Sequence, residues 1–481
     1  MGLVVKSEEK VNRPVKVIQF GEGNFLRGFV DWMIHRMNQE INWNGSVAIV
    51  QPLKQGLVDL LSTQDYEYTH YLKGIKDGTA VSEHYINESI SMGVKPYEDF
   101  HAYLNLAHID SANIIVSNTT EAGIIFQEQD QFENEADVSY PGKLTRLMFE
   151  RFTYYQGATD KGYILLPCEL IDYNADRLKE AVLAYIEAWK LGAEFRTWVL
   201  EANTFCNTLV DRIVPGYPRE TIDAVWEELG YKDQLVVESE QFNLWVIEGN
   251  EKVQQAFPAN EAGCNALFVD DVTPYKMRKV RILNGAHTTL VPVAYLMGVE
   301  TVRESVEHDV LRNFLYKAIF EEIIPTLTLS QEELEIFAAE VIERFKNPFI
   351  KHYLMSISLN SMSKYKARVL PSVLEYMNRK NELPKRLVFA LAAYIVFYSG
   401  KYNEKVIEVK DSDDIMDLYQ LAYEAFDGSR ESLQQVVEKI LSYSYLWEGN
   451  LSDVPKLQDA VVDYAYTILT EGIEKVQVLY E

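Results

Sequence analysis

Cysteine is nearly missing from this chain: three in 481 residues, at positions 168, 206 and 264. An odd number of thiols, far apart and without C-x-x-C spacing, excludes a disulfide framework and a structural zinc site. Histidine is also sparse, with eight in all. None stands in an H-E-x-x-H pair or a similar local ligand set, so no metal is expected. Positive charge is in deficit. The 46 Lys and Arg against 72 Asp and Glu leave a net charge of −26. A surface of that sign repels nucleic acid and anionic membrane, so neither is expected as a partner; a small molecule met through local basic residues is. Long apolar runs are absent too. The longest, residues 387–398, falls well short of the ~20 residues that span a bilayer and reads as a buried helix. Residues 1–16 are polar and lack a signal-peptide core. Lys6 stands where a Met-Gly acylation motif needs Ser or Thr. The expected location is the cytoplasm.

What is present is ordinary globular material, 47% hydrophobic and 25% charged, long enough for two domains. Residues 15–20 form an apolar run suited to a buried strand. Gly21-Glu22-Gly23-Asn24-Phe25-Leu26-Arg27-Gly28 follows, and then Phe29, Trp32, Met33 and Met37 recur at helical spacing. Strand, glycine turn and helix in that order form the context in which backbone N–H groups at a helix start cradle a pyrophosphate. The third glycine of G-x-G-x-x-G is absent: Leu26 stands there, and Gly28 comes two residues later. By itself the turn suits a tight strand-to-helix connection as well as a ligand site.

Residues 47–50 read as a second strand. It runs into Gln51-Pro52-Leu53-Lys54, with no acid to take ribose hydroxyls, which leaves NAD against NADP open; Lys54 would tolerate a 2′-phosphate. Residues 114–116 and 162–166 are further buried strands. They lead into Ser117-Asn118-Thr119-Thr120-Glu121-Ala122-Gly123 and Pro167-Cys168-Glu169, polar residues at the strand ends where open α/β sheets bind ligands. Helical stretches at 140–155 and 174–191 alternate with them. The expected fold class is therefore α/β, a Rossmann-like domain with a mostly parallel sheet over residues 1–275. Beyond it strands give way to helices at 334–345, 386–399, 414–426, 431–445 and 457–480, with a capping box at Ser330 and Glu333. Residues 276–481 are expected to be a mainly helical substrate-binding domain, with the site at the boundary.

That boundary holds the most informative stretch. Thr273 and Pro274 suit a helix start. Lys279, Asn284 and His287 follow at offsets of 0, 5 and 8, about 0°, 140° and 80° around an α-helix, so a cation, an amide and an imidazole share one half of it. Asn284-Gly285 are poor helix formers, and local violations of this kind concentrate at functional sites. Asn207, with Asp211 and Arg212 nearby, lies in a segment before a Pro-Gly-Tyr-Pro turn; Asp211 and Arg212 read as a structural ion pair. Lys364, Lys366 and Arg368 form a cationic cluster within an acidic chain, suited to a carboxylate.

Together these pieces resemble the mannitol dehydrogenase family of polyol-specific long-chain dehydrogenases over nearly the whole chain. The carrying strings are Phe20-Gly21-x-Gly23-Asn24-Phe25-x-Arg27, Asn207-x-x-Val210-Asp211-Arg212, and Lys279 with Asn284 and His287. Ser62 to Asp65, Ser117 to Gly123 and Leu166 to Asn174 point within the family to a branch acting on sugar acids. The resemblance implies NAD-dependent hydride transfer between D-tagaturonate and D-altronate in hexuronate breakdown, with D-fructuronate and D-mannonate, or a non-catalytic nucleotide-binding role, as alternatives. It implies Lys279 as general base and acid, with its amine tuned by burial and the cationic nicotinamide. Asn207 and Asn284 would steady the developing oxyanion. His287 would orient the substrate, and Lys364 with Arg368 would bind it. Phe20, Gly21, Gly23, Asn24, Phe25, Arg27, Asn118 and Thr119 would bind the cofactor. Two departures from the mannitol enzymes stand out. Ser356 replaces an Arg eight residues before Lys364, and Lys276 replaces a Glu three residues before Lys279; both make a neutral polyol a poorer substrate.

Overall fold

The computed structural model describes residues 11–76 and 78–481; the first ten residues, with the start read above for a leader or acyl site, lie outside them. The chain divides into two compact units, Met1–Lys76 with Val81–Val272, and Asp77–Ala80 with Thr273–Glu481.

In the first unit six strands form one parallel sheet. They are β1 (Val15–Phe20), β2 (Ser46–Val50), β3 (Ile90–Val94), β4 (Ile114–Ser117), β5 (Ile164–Pro167) and β6 (Thr204–Phe205). Their spatial order is 3-2-1-4-5-6, and every pairing is parallel. This is the order of a dinucleotide-binding Rossmann sheet, whose direction of winding reverses between β1 and β4. Phe20 pairs with Ser117 there, so the glycine turn and the loop after β4 open side by side at the switch point.

Both sheet faces are covered, which is why β2, β4 and β5 are apolar at nearly every position. Val17, Val47, Ile49, Ile114 and Val116 point into one core with Leu26, Phe29 and Met33 of helix α1 (Asn24–Ile41). Ile18, Phe20, Ala48, Val50 and Ile115 point into the other. There they meet α2 (Tyr140–Tyr154), α3 (Asn174–Ala188) and α4 (Ala193–Ala202) through Leu144, Leu178 and Trp198. Two smaller three-stranded sheets flank this body: Val237–Glu240 with Tyr68–Lys76 and Thr79–Asn87, and Ala266–Val269 with Leu244–Glu248 and Thr208–Asp211. Trp245 of the latter packs on Phe29 at 5.4 Å between ring centres.

The second unit is helical: α5 (Thr273–Arg278), α6 (Gly285–Leu296), α7 (Gln331–Phe345), α8 (Ser361–Arg368), α9 (Lys385–Phe397) and α10 (Leu457–Thr470) are its main elements relevant here. Ser330 and Glu333 form the expected capping box at α7. The apolar run becomes α9, buried on all sides from Leu387 to Phe397 and packed against α6 and α10. The helix expected at 457–480 stops at Thr470, because Gly472 takes φ +99°. Among the described residues no helix is long and apolar enough to cross a membrane.

Candidate active site

Local backbone demands explain the glycine turn. Gly21 sits at φ +119°, which L side chains rarely adopt. Its N–H donates to the Val50 carbonyl at 3.1 Å and ties the ends of β1 and β2 together. A Cβ on Gly23 would meet no protein atom within 4 Å. Glycine is therefore not required there by the protein's own packing, and the space fits a ligand backbone drawn close. Gly23 caps α1 with no side-chain hydrogen bond, and the first turn carries no acid; the helix thus presents uncancelled N–H groups, as an anionic pyrophosphate needs. Gly28 does the work of the missing third glycine. A Cβ there would stand 2.8 Å from Val214 Cγ1 and 3.0 Å from Val237 Cγ1, so only glycine allows this close packing.

Not every residue of the motif faces a ligand. The Phe20 ring is core, edge-on to Tyr140 at 5.0 Å and Tyr103 at 6.1 Å. Strand alternation sends this side chain into the core. Arg27 is also buried. Its Nε donates to Glu22 O at 3.1 Å, Nη1 to Leu235 O at 2.5 Å and Nη2 to Asn24 Oδ1 at 2.8 Å, so it shapes the turn and steadies Asn24. Phe25 stacks on Phe29 at 5.1 Å. Beyond β4, Thr119 N donates to Glu169 Oε1 at 2.8 Å and Ser117 Oγ to Glu169 Oε2 at 3.2 Å, while Asn118 stays half-exposed between them. Burial pushes the Glu169 carboxyl up and these donors pull it down. Glu169, which sequence reading left without a role, is the anchor of this loop.

Asn207 also departs from expectation. Its Nδ2 donates to Asp176 Oδ2 at 2.9 Å and Glu248 Oε2 at 2.8 Å, and its Oδ1 accepts from the N–H groups of Ala175 and Asp176. Both amide hydrogens are taken, so here it pins the start of α3 and holds no spare donor for an oxyanion. Arg212 bonds carbonyls of Gly28 and Glu240, at 2.9 Å and 2.7 Å, and lies 4.0 Å from the Trp32 ring centre. Its role is structural, as expected, but it is exercised through backbone oxygens.

In the second unit, α5 runs without a break into a π-helical turn, Lys279–Asn284, and then into α6. An i→i+5 ladder closes its turn on the fifth residue. The wider turn brings Asn284 closer in direction to Lys279 than the ~140° of an α-helix, and His287 follows less than one α-turn later. Gly285 lets the neighbouring helix close in: a Cβ there would lie 3.1 Å from the Arg368 carbonyl. Further along, Pro292 offers no N–H to the Thr288 carbonyl one turn back, and the Tyr394 hydroxyl of α9 donates to it at 2.9 Å instead.

The His287 ring lies 4.2 Å from Phe345 and 5.0 Å from His352, centre to centre, and its Nε2 is buried with no partner. Burial, reinforced by His352, Arg344 and Arg368, holds it well below the ordinary histidine range, so the imidazole is neutral. A neutral ring has one donor and one acceptor for substrate hydroxyls. Lys364 and Arg368 stand one turn apart on α8, a like-charged i, i+4 pair that is mildly unfavourable unless an anion joins it. Lys364 Nζ donates to Ile357 O at 2.8 Å; burial and Arg368 lower its pKa, with Asp411 opposing. No carboxylate faces Arg368 among the described residues, and burial lowers its pKa. Lys366, by contrast, is paired with Glu448 at 2.8 Å and is spent. Arg281, inside the π turn, is a residue the sequence reading passed over: it is buried with Nε and Nη1 unpartnered, and burial brings it down to about 10. Its position among Val280, Ile282 and Leu283 was the available signal.

Residues 15–260 match the mannitol dehydrogenase Rossmann domain, and residues 271–469 match the mannitol dehydrogenase C-terminal domain. The chain belongs to the mannitol dehydrogenase family. It is a dehydrogenase, and its relatives in the family are close. It is 45% identical to an altronate oxidoreductase of Bacillus subtilis (strain 168), over 96% of this chain and 94% of that one. It is 44% identical to an altronate oxidoreductase of Yersinia pestis bv. Antiqua (strain Nepal516), over 98% and 97%. Its fold matches a substrate-free D-sorbitol dehydrogenase with a TM-score of 0.80 at 22% identity, covering 98% of this chain and 95% of that one. It also matches Pseudomonas fluorescens mannitol 2-dehydrogenase, solved with NAD and D-mannitol, with a TM-score of 0.64 at 20% identity, over 97% and 94%.

Proposed function

We propose that this dehydrogenase interconverts D-tagaturonate and D-altronate with NAD as its cofactor, in the cytoplasm, as a step of hexuronate breakdown. The observation that carries this is full-length similarity, at 43–45% identity, to proteins named altronate oxidoreductase. The cationic face of α8 supports it: a substrate carboxylate relieves the repulsion between Lys364 and Arg368, and a neutral polyol does not. When bound, the nicotinamide supplies the hydride to the keto carbon. Gly21, Gly23, Asn24, Asn118 and Thr119 line the switch point that would hold it.

The chain's own residues do the rest. In the reducing direction the Lys279 ammonium gives a proton to the oxygen that becomes the hydroxyl; in the oxidising direction its amine takes that proton back. Asn284, one π turn on, donates to the same oxygen as charge develops. His287, kept neutral, hydrogen-bonds a neighbouring hydroxyl without adding charge. Lys364 and Arg368 hold the carboxylate, where Arg gives a fork of two parallel hydrogen bonds.

The test compares substrates in Arg368→Gln. KM for D-tagaturonate should rise by about tenfold or more, the weight of one charge-assisted hydrogen bond, while KM for neutral D-fructose, offered at high concentration, should not change. An equal change on both substrates would rule out the carboxylate contact.

A further inference from the structure

The adenosine ribose of a dinucleotide lies over the ends of β1 and β2, where an acid after β2 ordinarily takes its hydroxyls. Here the loop after β2 reads Gln51-Pro52-Leu53-Lys54-Gln55-Gly56-Leu57 and contains no acid. Gln51 does not replace it. Its Nε2 donates to Leu53 O at 2.9 Å, its Oε1 accepts from Val58 N at 3.3 Å, and the side chain is buried.

A carboxylate nevertheless reaches this loop, from the other strand. Glu22, the residue between the two glycines of the β1 turn, sends its side chain across, and Oε1 accepts from Leu57 N at 3.2 Å. It covers Gly56 so closely that a Cβ there would run into Glu22 Oε1 and Gln51. Gly56 thus makes room for the carboxylate. The side chain is 8% exposed, and the backbone beneath it is fixed by the bond from Gly21 N to Val50 O. This is a built position, an acid at the ribose end of the sheet held on both sides. Lys54, on the same loop, has a side chain 71% exposed, which pairs with Asp137 at 3.9 Å and lies 5.3 Å from the Tyr97 ring centre.

We propose that Glu22 replaces the missing strand-end acid: its carboxylate accepts from the adenosine ribose hydroxyls and repels a 2′-phosphate, making the site selective for NAD over NADP. The inference rests on the reading above that a nicotinamide dinucleotide binds at this switch point.

The experiment measures the dissociation constants of NADH and NADPH by fluorescence titration, without substrate, for the wild-type protein, Glu22→Gln and Lys54→Ala. The wild-type protein should bind NADH at least about tenfold more tightly than NADPH, and Glu22→Gln should narrow that ratio by about tenfold, as expected for one charged contact. Glutamine still accepts from Leu57 N, so the loop is kept; Glu22→Asp, which withdraws the carboxylate by one methylene, should narrow the ratio as well. Lys54→Ala should leave it unchanged. An unaltered ratio in both Glu22 variants, or a ratio that moves with Lys54 instead, would overturn the assignment while leaving the nucleotide site standing. Failure of the wild-type protein to bind either nucleotide would overturn the underlying reading.

Discussion

In the proposed mechanism Lys279 is the residue on which turnover depends. Replacing it with Met keeps the stem and removes the proton carrier, so kcat should fall by about 10²–10⁴, with NADH affinity in the absence of substrate unchanged. Turnover near the wild-type level would take Lys279 out of the mechanism. A second residue-scale prediction concerns a group outside the chemistry. Asp31 is fully buried in α1, and burial raises its carboxyl from 3.8 to about 7. In the fold it keeps its proton to near neutrality, whereas in the unfolded chain it loses it near 3.8. The stability it adds is thus fully present below the unfolded value and is lost as pH rises through about 7. Asp31→Asn mimics the protonated form and offers a donor near Gln19 Oε1, which has no partner. Its melting temperature relative to wild type should climb between pH 5 and pH 8; a difference that stays constant would mean Asp31 does not titrate in that window. At this scale the sequence shows residue types and their spacing, and these single out Lys279, Asn284 and His287 as candidates. It did not show partners. Phe20, Arg27 and Asn207 were assigned to ligands because nothing in a sequence reveals that a ring is already in the core or an amide already bonded to Asp176 and Glu248.

At the scale of elements, the decisive feature is the π turn at Lys279–Asn284. An α-helical wheel sets Lys279 and Asn284 ~140° apart on one half of the helix, and the wider turn brings them closer in direction. The sequence signals a local violation here through Asn284-Gly285 but not that it takes the form of a widened turn, nor that the Arg368 carbonyl, far along the chain, closes in on Gly285. The adjoining helix carries a testable repair. With Pro292 unable to serve the Thr288 carbonyl, Tyr394 does so, and Tyr394→Phe should cost about 1–3 kcal/mol by urea unfolding, the toll of an unpaired buried carbonyl. In a Pro292→Ala background the restored N–H takes over, and the same substitution should cost clearly less. Equal costs in both backgrounds would mean the hydroxyl is not replacing the proline's missing bond. The main strands β1, β2, β4 and β5 were legible as unbroken apolar runs. β3, reading Ile-Ser-Met-Gly-Val, and the two small sheets were not, because strand preference depends on the neighbours a segment packs against more than on its own residues.

At the scale of the whole molecule, the fold class was legible because alternating strands and helices permit few other arrangements, and the family resemblance covered both units. Against the net charge of −26, the proposed reading gives the cationic face of α8, Lys364 and Arg368, the task of holding an anionic substrate. The advantage of the sugar acid over a neutral ketose should therefore shrink as salt rises, with screening over about 10 Å at 0.1 M ionic strength. An advantage that is flat with salt would place recognition in shape alone. The most direct test of the central claim is the rate of NADH oxidation, followed by absorbance, with D-tagaturonate and D-fructuronate supplied side by side to the purified protein. Rapid turnover with D-tagaturonate and little with D-fructuronate is the predicted result. A preference for D-fructuronate, or no oxidation with either acid by a protein that binds NADH, would contradict it.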